Sequence, residues 1–187
     1  MPDTQRSLSD LLTALFQDGQ AVSSITPQDV RGLIVSVGQI PYGGIYSLAP
    51  VETIIPSSNT YVKALGTTQN NNLRNFDMPV DNRLRYTGAL PYHMHIALTL
   101  SMMAAGNNKL AGFKMFKFDD SAGTGALIDG SVVRRFIATG SDEGSTALHW
   151  DVVLDNNDYL ELHVANLTDA TNITVSNMYL FAVGMEI

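Results

Sequence analysis

Apolar residues in the first forty positions recur at the spacing of a helix face. Leu8, Leu11, Leu12, Leu15 and Phe16 stand at i, i+3, i+4, i+7 and i+8, with Ser7 as a candidate N-cap and Gly19 as a stop. A second start follows at Thr26-Pro27-Gln28-Asp29. It supplies a capping hydroxyl, a proline at the first helical position and a carboxylate in the first turn, where the helix dipole favours negative charge. Val30, Leu33, Ile34 and Val37 then share a face. Helices shorter than about 12–15 residues are marginal in water by themselves, so both stripes must dock, on their own domain or on a partner.

After Gly38 the period changes from 3.6 to 2, and Pro41, Gly43, Gly44, Pro50 and Pro56 punctuate short β-rich runs such as Thr53–Ile55 and Tyr61–Leu65. The polar stretch Thr67–Asn75, with asparagines at 70, 71 and 72, is expected to be an exposed loop. From Arg83 onward strands arrive regularly: Leu84–Gly88, His93–Ala104, Leu110–Phe118, Val132–Thr139, Thr146–Leu154, Tyr159–Ala165 and Ile173–Met185. The turns between them are built from Gly106-Asn107-Asn108, Asp129-Gly130, Gly140–Gly144 and Asp155–Asp158, residue types that tolerate turn dihedrals. Strands at this spacing with no helical pattern between them predict an antiparallel sandwich. The chain therefore divides into a helical segment over 1–40 and a β-domain over 41–187.

Alternation tells which face of each strand is buried. In His93–Ala104 the even positions Met94, Ile96, Leu98, Leu100 and Met102 are large and apolar, so that side is core. The other side, with His93, His95, Ala97, Thr99 and Ser101, carries almost no charge. Leu148, Trp150, Val152 and Leu154 point inward from the next long strand but one, opposite Ala147, His149, Asp151 and Val153; Leu160, Leu162 and Val164 point inward opposite Tyr159, Glu161 and His163. The last strand breaks the rule, because Met178, Tyr179, Leu180, Phe181, Ala182 and Val183 are apolar on both sides, as in a strand covered twice.

Composition narrows the function classes. The 187 residues are 45% hydrophobic and 16% charged, enough for one domain with a sizeable core. A net charge of -7 opposes a phosphate-tracking surface, so nucleic acid is not an expected partner. Without cysteine there are no disulfides, thiolate nucleophiles or Cys-ligated metals. No run of about 18 apolar residues is present, and the first apolar run is broken by Ser9, Asp10 and Thr13, so neither a spanning helix nor a secretory signal is expected and synthesis in the cytoplasm is.

The chemistry-bearing residues are few. His93-x-His95 puts two imidazoles on one face of a strand, and with His149 and Asp151 alongside, a metal set can be drawn. The reading adopted from sequence is that these are hydrogen-bonded packing elements, with no metal and no cofactor. Asp119-Asp120, Asp142-Glu143 and Asp155–Asp158 lack the spacing of a calcium loop. Asn166-Leu167-Thr168 and Asn172-Ile173-Thr174 match the glycosylation pattern only by chance if nothing exports the chain. Lys114, Lys117, Arg134 and Arg135 are read as the solvent side of strands whose aromatic neighbours Phe113 and Phe116 are core. No nucleophile, phosphate-loop or triad signature marks an enzyme.

The run Val152-Val153-Leu154-Asp155-Asn156-Asn157-Asp158-Tyr159-Leu160-Glu161-Leu162 resembles the strand, acidic-glycine turn and strand of tumour-necrosis-factor (TNF) and C1q jelly rolls, with Asn157 at the usual glycine. Asn177-Met178-Tyr179-Leu180-Phe181-Ala182-Val183 is similar to the final strand of that family, in the middle of its inner sheet. Tyr61–Thr68, Phe76, Arg83–Gly88 and a strand ending at Ser101 resemble the version found in tailed-phage virion proteins, as does the lead-in Ile25–Arg31.

This resemblance implies a mainly β protein, an antiparallel jelly-roll sandwich with a short N-terminal helical segment, assembled as a homotrimer around the inner sheets. The expected trimer interface gathers His93, His95, His149, Asp151, Tyr179, Phe181 and Val183. The implied role is a bacteriophage virion structural protein, a viral protein made in the host cytoplasm and carried on the virion. More concretely it is a capsid decoration (cement) protein or head fibre. Its anchoring stripe of Leu8, Leu11, Leu15, Val30, Leu33 and Ile34 would bind the major capsid protein. The alternative is a tail-associated receptor-binding head that grips a host-surface glycan or receptor through loops at Gln69–Asn75, Asp119–Gly125 and Gly140–Gly144.

Overall fold

The computed structural model describes residues 25–37 and 40–185. The helix α1 (Pro27–Val37) begins at the expected cap. Thr26 Oγ1 accepts from the Asp29 backbone N–H at 3.2 Å, and Asp29 Oδ2 accepts in return from the Thr26 N–H at 2.8 Å. Each side chain satisfies a donor that the first turn leaves open. The other expected helix, around Leu8–Phe16, lies outside the described residues.

Thirteen strands follow: β1 (Tyr42–Pro50), β2 (Glu52–Thr53), β3 (Val62–Lys63), β4 (Gly66–Arg74), β5 (Phe76–Asp77), β6 (Leu84–Tyr86), β7 (Tyr92–Ala104), β8 (Lys109–Asp119), β9 (Thr124–Leu127), β10 (Val133–Ile137), β11 (Gly144–Leu154), β12 (Tyr159–Asn166) and β13 (Ile173–Gly184). They form two sheets. The first runs β11-β7-β13-β1-β4 with β2 beside β13, the second β10-β8-β12-β6-β5 with β3 on β12 and β9 on β8. All pairings are antiparallel. The sandwich encloses one core, to which β7 gives Met94, Ile96, Leu98, Leu100 and Met102, β13 gives Leu180 and Ala182, β8 gives Phe113 and Met115, and β12 gives Leu160, Leu162 and Val164. The final strand sits in the middle of the first sheet, as the resemblance implied, with β7 and then β11 on one flank.

Two expectations need correction. Thr67–Asn75 is not a loop: β4 pairs with β1 from Tyr42↔Arg74 to Pro50↔Gly66. Its sequence hides this because it is an edge strand that buries only Thr68 and half-buries Leu73. Backbone hydrogen bonds rather than side-chain burial hold it, and polar side chains protect the free edge. Asn72, at φ 47°, absorbs the irregular register there. The second correction concerns Phe116, which is not core. It faces outward from β8 and stacks on His163 of β12, ring centroids 4.6 Å apart, while Phe118 stacks on Tyr159 at 4.8 Å. Gly125 of β9 lies over Phe116 so closely that a Cβ there would stand 2.1 Å from its Cζ.

The β11–β12 turn explains its unusual asparagine. Asn157 has φ 68°, the left-handed region that glycine usually supplies and asparagine tolerates best among the other residues. Asp158, fully buried, closes the same turn by accepting from the Asp155 N–H at 3.0 Å and pairs with Lys117 Nζ at 2.9 Å.

Candidate assembly face

The site is the side of the first sheet turned away from the core, and strand register builds it row by row. One row reads Asp151, His95, Val183, Tyr42 across β11, β7, β13 and β1; the next reads His149, Ala97, Phe181, Gly44; a third reads Ala147, Thr99, Tyr179, Tyr46. His93, two residues before His95, extends the same side. The structure thus brings together every residue expected at the trimer interface: His93, His95, His149, Asp151, Tyr179, Phe181 and Val183.

Its centre is aromatic and open. Tyr179 is 36% exposed and stacks on the half-buried Phe181, centroids 6.2 Å apart and planes at 17°. Gly44 makes room for that ring, since a Cβ there would lie 2.9 Å from the Tyr179 hydroxyl. Beside Tyr179 the face hollows into an open cleft of about 580 Å³, lined by Thr99, Ser101, Ser145 and Ala147 together with Leu100 and Met178.

Beside the aromatic patch the polar residues form a chain. His95 Nδ1 lies 2.8 Å from Asp151 Oδ1, and His95 Nε2 lies 3.2 Å from His149 Nδ1. A carboxylate only accepts, so His95 carries its proton on Nδ1 and donates it to Asp151. His95 Nε2 and His149 Nδ1 share one hydrogen bond, whose donor is set by the tautomers of the two rings. All three residues are open to solvent to some degree, and His93 Nδ1 by contrast is buried with no hydrogen-bond partner.

The anchoring stripe is described only in part. Val30 is 44% and Ile34 63% exposed, Leu33 is half-buried, and Leu8, Leu11 and Leu15 lie outside the described residues.

The second sheet holds what sequence reasoning missed. Glu161, almost fully buried, accepts from Lys63 Nζ and Arg83 Nε, each at 2.8 Å, and faces His163 Nε2 at 3.4 Å. Burial raises its pKa, but the hydrogen bonds from His163, Lys63 and Arg83 outweigh this and hold it at about 2. Arg83 also lies 3.8 Å above the Tyr159 ring. Partners brought from 78 and 98 residues away leave no local signal in the sequence. The other candidates have structural uses. Lys114 pairs with Asp129 at 2.7 Å, and Asp119 and Asp142 cap their own turns by accepting from the Ala122 and Thr139 N–H groups. Asn166, fully buried, accepts from the Thr168 N–H and donates to Asp169 and the Thr171 carbonyl, so its amide is committed inside the fold.

No family model matches the chain, and no curated protein does. Solved structures do. Eiger TNF from S. frugiperda aligns with 79% of this chain and 94% of its own at 6% identity, with a TM-score of 0.55. Murine APRIL at pH 5.0 aligns with 78% of this chain and 99% of its own at 10% identity, with a TM-score of 0.47. At such identities the likeness is one of fold. The chain is a TNF-like jelly roll.

Proposed function

We propose that the chain is a bacteriophage virion structural protein that binds and assembles rather than catalyses. In this reading it is a trimeric capsid decoration protein or head fibre, made in the host cytoplasm and carried on the virion. The observation that carries the reading is the open stack of Tyr179 and Phe181 on the central strand of a sheet whose other side is already core. An aromatic side chain buries roughly 150–250 Å² in all; enclosing the part of Tyr179 and Phe181 still open removes a fraction of that from water, at about 25 cal/mol per Å². Three copies packed around this face bury all of it at once, as the TNF/C1q resemblance implies.

The apolar stripe of Val30 and Ile34, uncovered on α1, supports a second contact, with the major capsid protein. Three tethered stripes acting together convert a weak contact into firm attachment through effective concentration. The receptor-binding alternative loses one of its three gripping loops, because Gln69–Arg74 lies within β4. A chain beginning at Tyr42 is expected to remain folded and trimeric by sedimentation and to lose binding to capsid shells; retained shell binding would remove the anchor. Antibody labelling of virions decides between head lattice and tail.

A further inference from the structure

We propose that His95 Nε2 and His149 Nδ1 are the two protein ligands of a divalent transition-metal site on the assembly face, for an ion of the Zn²⁺, Ni²⁺ or Cu²⁺ class. Asp151 is the residue that positions His95. All three side chains come from one chain.

Three features of the geometry point this way. The two nitrogens are 3.2 Å apart. Two imidazole nitrogens bound to one tetrahedral ion at 2.0–2.1 Å are separated by about 3.3 Å, so the spacing already suits a shared ion. The hydrogen bond aims the two nitrogens at each other, so each ring, with centroids 5.4 Å apart and planes at 24°, turns by roughly 35° to aim its lone pair at a shared tetrahedral ion. Asp151, at 2.8 Å from the far nitrogen of His95, holds the ring so that Nε2 faces His149, whose hydrogen bond an ion would displace. A carboxylate behind a histidine in this way is the usual outer support of a metal-binding imidazole, and it raises ligand basicity.

The balance of protons is simple. In the metal-free chain one proton stands between His95 Nε2 and His149 Nδ1. Coordination needs both of those nitrogens bare, so that proton leaves for His149 Nε2 or for solvent as the ion enters. Nitrogen donors select borderline transition metals over Ca²⁺ and Mg²⁺, which prefer oxygen. Among the described residues no three ligating side chains form a metal cluster, so water completes the coordination sphere.

The test is calorimetric titration of the full chain with Zn²⁺, together with Cu²⁺ electron paramagnetic resonance to count bound nitrogens. One ion per chain and two nitrogens are expected. His95→Gln and His149→Gln each abolish stoichiometric binding, Asp151→Asn weakens it about 10–100-fold, and His163→Gln on the opposite sheet leaves it intact. Circular dichroism verifies that each variant folds. Absence of binding to the wild-type chain, or binding that survives both His95→Gln and His149→Gln, overturns the proposal.

Discussion

At the scale of single residues, two side chains show how a local choice answers a tertiary demand. Asn157 occupies a left-handed turn position. Replacing it with valine costs about 1–2 kcal/mol, because a β-branched side chain collides with its own backbone there. Glycine at the same place is expected to be tolerated. Urea unfolding followed by fluorescence of Trp150, the one tryptophan, measures both variants. Glu161 makes a pH prediction. Its folded pKa, about 2, lies below the ordinary 4.5, so the fold favours its ionised form. That stabilisation is complete above about pH 4.5 and disappears as the pH falls through 2. A shift of this size is worth about 3 kcal/mol. Acid unfolding should therefore flatten between pH 5 and pH 2 in Glu161→Gln, and an unchanged profile would show that the cluster contributes nothing.

Among the elements, β4 is the instructive one. Thr67–Asn75 has the composition of a turn, yet from Gly66 to Arg74 it is hydrogen-bonded to β1 along its length. Hydrogen exchange separates the two descriptions: amides of Thr67–Leu73 that face β1 should exchange far more slowly than those of the 120–123 turn. Strands with two-residue alternation, by contrast, were legible within a residue or two. β7 was expected from His93 and begins at Tyr92; β12 was expected to end at Ala165 and ends at Asn166. The difference is that β7 and β12 bury one face, which forces alternation, whereas an edge strand is held by its backbone and leaves its side chains unconstrained.

For the whole molecule, the arrangement of sheets converts a run of apolar letters into a surface. β13 stands between β7 and β1, so its second apolar side can be covered only from outside the sandwich. Phe181→Asp is expected to leave the circular dichroism spectrum unchanged, because the ring faces away from the core, and to abolish the proposed trimer. Sedimentation velocity reads this directly; a variant that assembles normally would move the interface elsewhere.

Periodicity alone determined that this chain is a β-sandwich behind a helical lead-in, which side of each long strand is core, and that the last strand is apolar on both sides. These follow from burial, which stamps its period on neighbouring residues. Only the tertiary structure decided that His95, His149 and Asp151 touch in sequence-distant pairs, that Glu161 is clamped by Lys63 and Arg83, and that a polar stretch is a strand. Each depends on strand register, and register is a relation between segments that no single segment records.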